Sequence, residues 1–170
     1  MQHIEPAGVH SGDSTAVSPP FSLKEETQAI IRETASRIAL RLGVVGLMNA
    51  QLAVQTVDGV DSVFVIEANP RASRTVPFVA KATGVPLASL GAKLMLGETL
   101  AGMRASGILE SSLVGYAVKE PVFSWDKFPE VARELGPEMK STGEAIAFVD
   151  SVRDEHIAKP YEMRNLYLSR

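Results

Sequence analysis

Two strand-like runs, "VVGLMNAQLAVQT" and "SVFVIEAN", flank "VDGVD", in which Asp58-Gly59 is a strong short-range signal for a hairpin turn. Such a pair is expected to fold as an antiparallel ribbon. Because side chains two apart share a face of a strand, the pattern also says what each face carries. Met48, Ala50, Leu52 and Val54 make an apolar face and leave Asn49, Gln51 and Gln55 on the other. In the second run Phe64, Ile66 and Ala68 share one face, while Val63, Val65, Glu67 and Asn69 share the opposite one. Gln51, Glu67 and Asn69 are therefore expected to converge on one side of a ribbon whose other side is core.

The second run ends in "IEANPRASR", which delivers Glu67, Asn69, Arg71 and Arg74 within eight positions. A hard divalent cation such as Mg²⁺ takes oxygen ligands and keeps waters and substrate phosphates in the rest of its shell. Glu67 would supply charge, and Gln51 and Asn69 neutral carbonyl oxygens. Arg71 and Arg74, just beyond the strand end, suit bidentate pairing with phosphate oxygens. The same residues also fit a strand end merely capped by Glu67 and Asn69 with two solvated arginines, and the pattern alone leaves both readings open. A second candidate is the loop "AGVHSGDS", where Gly8 and Gly12 permit close backbone approach and His10 stands between them. No Walker-type lysine follows it, so on this feature alone a plain surface turn is favoured over a ligand loop. His3 and His156 have no evident partners.

Composition narrows the function classes. With 45% hydrophobic and 22% charged residues, the 170-residue chain can bury a core as one domain or one domain with an appendage. A net charge of −3 argues against a general nucleic-acid binder, so any anion site must come from a local basic cluster. With no cysteine and three scattered histidines, neither disulfides, thiolate chemistry nor a zinc site is expected. No run approaches the ~18 apolar residues of a membrane span, and "MQHIEPAGVHSGDS" lacks the order of a signal peptide, so a cytoplasmic setting without membrane contact is expected.

Along the rest of the chain, "MQHI" reads as a short strand entering a Gly/Ser/Pro-rich loop, "EPAGVHSGDSTAVSPP". Ser22 and Glu25 form a capping-box pattern, and the helix after them places Ile30, Ile31, Ile38 and Leu42 on one side until Gly43 stops it. Residues from Thr75 to about Arg104 read as two or three short helices punctuated by Gly84-Val85-Pro86 and Gly97, with Phe78 as a core anchor. "VGYAVKEPVF" and "EAIAFVD" read as strands, and "SVRDEHIAKPYEMRNLYLSR" has no clear period.

"VIEANPRASRTVPFVAKATGVPLA" resembles the signature of carbamoyl phosphate synthetase large subunits, an ATP-grasp family. "HIEPAGVHSGDS", "GLMNAQLAV" and "GPEMKSTGEA" are similar to other segments of that family in the same order, so the resemblance covers roughly residues 1–145. "GVHSGDS" and "RTVPFVAKATGVP" resemble the second, carbamate-phosphorylating half rather than the bicarbonate-phosphorylating one. The resemblance implies an α+β fold, the ATP-grasp C-terminal subdomain, with an antiparallel sheet carrying the site and helices packed behind it. It implies that residues 1–145 form that subdomain without the upstream half of the ATP-grasp unit, and that 146–170 form a divergent tail. "TVDGVDS" is longer than the family's hairpin connection and is expected only to lengthen a surface turn.

The resemblance also implies roles. Gly8, Val9, His10 and Ser11 match the loop that contacts ATP. Gln51 and Glu67 match residues touching both nucleotide and metal, Mg²⁺ or Mn²⁺, with Glu67 bridging two ions. Asn69 matches a further metal ligand, and Arg71 and Arg74 match the phosphate and transition-state contacts. The implied activity is Mg-ATP-dependent phosphorylation of carbamate to carbamoyl phosphate for arginine and pyrimidine biosynthesis, incomplete in this chain alone. Expected partners are the upstream ATP-grasp portion, a glutaminase small subunit and carbamate. Two alternatives stand beside it: a non-catalytic fragment that oligomerises or docks on a partner, and a different ATP-grasp ligase using the same metal ligands.

Overall fold

A computed structural model of the chain describes residues 1–152. It divides into two compact units, one made of Met1–Phe21 with the segment from Leu113 onward, the other of Ser22–Ser112. Both combine antiparallel strands with turns or helices, as the α+β expectation required. Among the described residues the site-bearing hairpin forms a two-stranded sheet of its own, as the ribbon reading expected, and the other strands form a second sheet.

The first unit is a four-stranded antiparallel sheet in the order β1-β2-β5-β6, in which β1 is Gln2–His3, β2 is Ala16–Ser18, β5 is Tyr116–Val122 and β6 is Gly143–Val149. β1, β5 and β6 match the strands read from sequence. β2 lies inside the segment expected to be loop. Three residues, Ala16-Val17-Ser18, are too few to show a period, and the strand exists because Val17 and Ala16 pair with Val118 and Lys119 of β5. Ala16, Val17, Ala117 and Val118 are buried and form this unit's apolar centre. β6 runs through residue 145 to Val149, and residues 153–170 of the expected tail lie outside the described residues.

The second unit begins with α1, Glu25–Arg41. Its acidic first turn and Arg41 in the last complement the helix dipole. The capping box is not formed: the N-cap is Lys24, two residues after Ser22, and Glu25 pairs with Arg32. The buried stripe is also shifted, with Thr27 buried and Ile31, Thr34 and Ile38 half-buried, whereas Ile30 and Leu42 are exposed. Gly43 ends the helix at φ +60°, as expected.

The hairpin follows as β3, Asn49–Val57, and β4, Val60–Asn69, joined through Asp58 and Gly59 at φ 51° and 77°. Two successive positive φ values are the geometry whose twist matches paired strands. The extra residues expected in the turn extend the strands instead, because Thr56 Oγ1 and Thr27 Oγ1 both donate to the Asp61 carboxylate, at 2.7 and 2.6 Å. Lys24 Nζ also donates to Gly59 O at 2.7 Å, so the start of α1 is tied to the hairpin tip.

Three short helices complete this unit: α2, Thr75–Thr83; α3, Leu87–Met95; and α4, Leu100–Ala105. Gly84, at φ +74°, caps α2 in the left-handed conformation, and a Cβ there would collide with the Ser112 side chain. Thr99 Oγ1 accepts from the Gly102 N–H to start α4. Val85, Leu90 and Met103 form the buried core with Leu87, Leu94 and Leu109 against it, and Phe78 is 2% exposed.

Candidate functional site

The ribbon's register decides which side chains share a face. Asn49 pairs with Asn69 and Gln51 with Glu67, but Leu52 pairs with Val65, so β4 carries one extra residue, Ile66, at this point. Gln51, Glu67 and Asn69 therefore lie on one face, as expected. Val63 and Val65 do not: beyond the bulge they stand opposite Val54 and Leu52, on the apolar face. The bulge reverses the alternation of β4, which is why period-two counting from Glu67 misplaced them. Ala53 pairs with Phe64, which moves Phe64 to the polar residues' face.

Asp61 shows which face is covered. It pairs with Thr56, two residues on from Val54, and its carboxylate receives the hydroxyl of Thr27 from α1. The start of α1 thus lies on the Leu52–Val54–Val63 side and leaves the Gln51–Glu67 face uncovered by it.

On that face Asn69 Nδ2 donates to Glu67 Oε1 at 3.0 Å, turning its Oδ1 into the amide atom left for a ligand. Glu67 is exposed, with Gln51 directly across the ribbon. Asn49, opposite Asn69, completes a quartet of one carboxylate and three amides that the sequence reading left out of the site. The signal for it was present in the alternation, which put Asn49 on the face of Gln51. Among the described residues no three His, Cys, Asp or Glu side chains gather for a metal ion, and a donor set of one carboxylate with amide oxygens falls outside that class. Its all-oxygen chemistry fits a hard ion that keeps water and phosphate ligands.

Past the strand end the chain turns, with the Arg71 N–H bonded to Asn69 O at 2.8 Å. Arg71 is exposed, with Nη1 donating to Ala72 O at 2.9 Å. Arg74 is exposed at the N-cap position of α2, and Ser73 Oγ accepts from the Thr75 N–H at 3.3 Å. The structure thus brings Gln51, Glu67 and Asn69 together on one ribbon face, and Arg71 and Arg74 follow in the turn from the strand end to the start of α2.

Gly8, Val9, His10 and Ser11 belong to the first unit. Their loop is held from within: the His10 N–H donates to Gly136 O at 2.8 Å, and the Gly12 N–H donates to His10 Nδ1 at 3.0 Å. Asp13 is fully buried, its carboxylate accepting from the Lys140 and Ser141 N–H groups at 2.7 and 2.8 Å. Burial alone would raise its pKa, but these donors outweigh it and hold the carboxyl below its ordinary value. The two glycines serve different ends. A Cβ at Gly12 would press on Met139 Sδ and His10 Nδ1, so that position admits protein, whereas Gly8 faces open space.

Residues 1–103 match the family described as carbamoyl-phosphate synthase L chain, ATP binding domain. Curated relatives are the carbamoyl phosphate synthase large chains of Neisseria meningitidis, 59% identical over 148 residues, of Halobacterium salinarum, 56% over 147, and of Acidobacterium capsulatum, 50% over 155. These matches cover 86 to 89% of this chain but only 13 to 14% of the relatives' own length. Among solved structures, the biotin carboxylase subunit of pyruvate carboxylase shares the fold at a TM-score of 0.59 and 13% identity, over 85% of this chain and 40% of that one.

Proposed function

Because this chain belongs to the family of carbamoyl-phosphate synthase large-chain ATP-binding domains, we propose that it supplies the metal- and phosphate-binding part of ATP-dependent carbamate phosphorylation. The supporting observation is the register that sets Gln51 across from Glu67 while Asn69 donates to the same carboxylate. In this reading Gln51, Glu67 and Asn69 hold Mg²⁺ or Mn²⁺, and Gly8, Val9, His10 and Ser11 contact the nucleotide. A divalent ion bound there supplies charge neutralisation on the phosphates.

The chain's own groups then position and stabilise. Arg71 and Arg74 pair with oxygens of the transferring phosphoryl group. A carbamate oxygen attacks the γ-phosphorus of ATP, the new O–P bond forms as the bond to the β–γ bridging oxygen breaks, and ADP leaves. Positioning and electrostatic stabilisation carry nearly all of the catalysis in such a transfer. The product, carbamoyl phosphate, would feed arginine and pyrimidine biosynthesis together with the upstream ATP-grasp portion and a glutaminase small subunit.

Glu67→Gln tests this reading. The side chain is exposed, so the fold should survive, but Mg²⁺-dependent nucleotide binding measured by titration calorimetry should be lost. Unchanged metal-dependent affinity would overturn the assignment. A second reading, a non-catalytic interaction module, draws on Leu40, Val45, Met95 and Leu96, which are 63 to 87% exposed in the second unit. It predicts self-association or partner capture with no Mg·ATP affinity in the same titration.

A further inference from the structure

Lys119 stands on β5, the strand between β2 and β6, and is 3% exposed. Nothing in the sheet's own packing asks for a lysine there. Its cross-strand neighbours are Ala16 and Ile146, and an apolar side chain would suit the row without the desolvation cost of an ammonium. Its charge is spent instead on a distant loop. Lys119 Nζ donates to Ser11 O at 3.0 Å and to Gly12 O at 3.4 Å. Ser141 Oγ donates to the same Gly12 carbonyl at 3.0 Å. The peptide groups that follow Ser11 and Gly12 are thereby oriented, and the Gly12 N–H in turn donates to His10 Nδ1. That bond uses Nδ1 as its acceptor, an arrangement that suits the tautomer with its hydrogen on Nε2.

We propose that Lys119 is a positioning residue for the Gly8–Ser11 loop, fixing its carbonyls and, through Gly12, the orientation and tautomer of His10. The inference rests on the reading of that loop as a nucleotide contact. Lys119 touches no reacting atom in this account. It acts through backbone, which is why no motif signals it: the residue lies more than 100 positions from the loop it holds. Burial lowers its pKa below the ordinary lysine value, and the carboxylates of Glu144, Glu5 and Asp13 oppose that shift without cancelling it.

The test is made on the full chain with Lys119→Met, which keeps the side chain's bulk, and with Ser141→Ala, which removes the second donor to the Gly12 carbonyl and the hydroxyl's bond to Asp13 but keeps the Ser141 N–H bond to that carboxylate. Three quantities are read: amide hydrogen exchange, the ¹⁵N shifts of His10, and Mg·ATP affinity. Lys119→Met should speed exchange of the amides from Val9 to Asp13 at least tenfold over those of β5 and β6. It should move the His10 ring off a single tautomer and weaken Mg·ATP binding about tenfold. Ser141→Ala should give the same pattern at about threefold. Unchanged loop exchange in a folded Lys119→Met chain overturns the proposal, as does a rise spread evenly over the sheet, which would mark a purely structural lysine. If Lys119→Met does not fold, Ser141→Ala decides, and loop exchange equal to wild type overturns the proposal. A wild-type chain that binds no Mg·ATP, with the exchange and tautomer effects present, contradicts the nucleotide reading of the loop and not the positioning by Lys119.

Discussion

His3 stands on β1 in the same cross-sheet row as Ala16 and Lys119. Burial disfavours its charged form, the Lys119 ammonium and the N-terminal amine add repulsion, and its pKa is pushed from 6.5 down to about 4. Between those two values an unfolded chain takes up a proton that the folded chain refuses. Stability contributed by His3 is therefore complete above pH 6.5 and falls as the pH drops toward 4. From pH 7 to pH 5 the loss should be about 2 kcal/mol, read by urea unfolding at both values. Glu5 works in the other direction, since burial raises its pKa and its protonation at low pH relieves a buried charge. The comparison is thus made against His3→Gln, which should lack this share of the acid sensitivity. Equal pH dependence in the two chains would show that the imidazole is not held neutral.

At the scale of elements, α2 and the start of the ribbon show what local pattern can and cannot specify. Phe78 was legible as a core anchor because it falls between Val76, Val79 and Ala82 on a short apolar helix. It is 2% exposed, and Phe78→Ala should cost about 3–5 kcal/mol in denaturant unfolding; a loss under about 1 kcal/mol would mean the site repacks or is not core. The Asp58-Gly59 turn was equally legible, since two positive φ values can be read from the residues that tolerate them. The facing of Gln51, Glu67 and Asn69 followed from the strand period. The bulge at Ile66 did not, because an extra residue leaves no mark in composition, and it sent Val63 and Val65 to the other face. β2 and the cap of α1 were illegible for a related reason. Ala16–Ser18 is a strand only through its pairing with β5, and α1 starts at Lys24, where no side-chain cap announces it. Lys119 is the extreme case, a residue whose use is visible only once β5 and the loop are both in place.

For the whole molecule, the proposed activity is shared between separate parts of the chain: the nucleotide loop lies in one compact unit, and the metal ligands with Arg71 and Arg74 lie in the other. Neither unit carries the complete set alone, and the proposed activity calls for a further ATP-grasp portion as partner. The reaction most sensitive to this arrangement is phosphoryl transfer run backwards, from carbamoyl phosphate to ADP, because it needs the metal ligands, both arginines and the nucleotide loop but no ammonia or bicarbonate. It should be followed as ATP formation with Mg²⁺, first with this chain alone and then with the upstream ATP-grasp portion added. The account predicts ATP only in the combined sample, abolished there by Glu67→Gln. No ATP in the combined sample, with the added portion shown to be folded and bound to this chain, would contradict it.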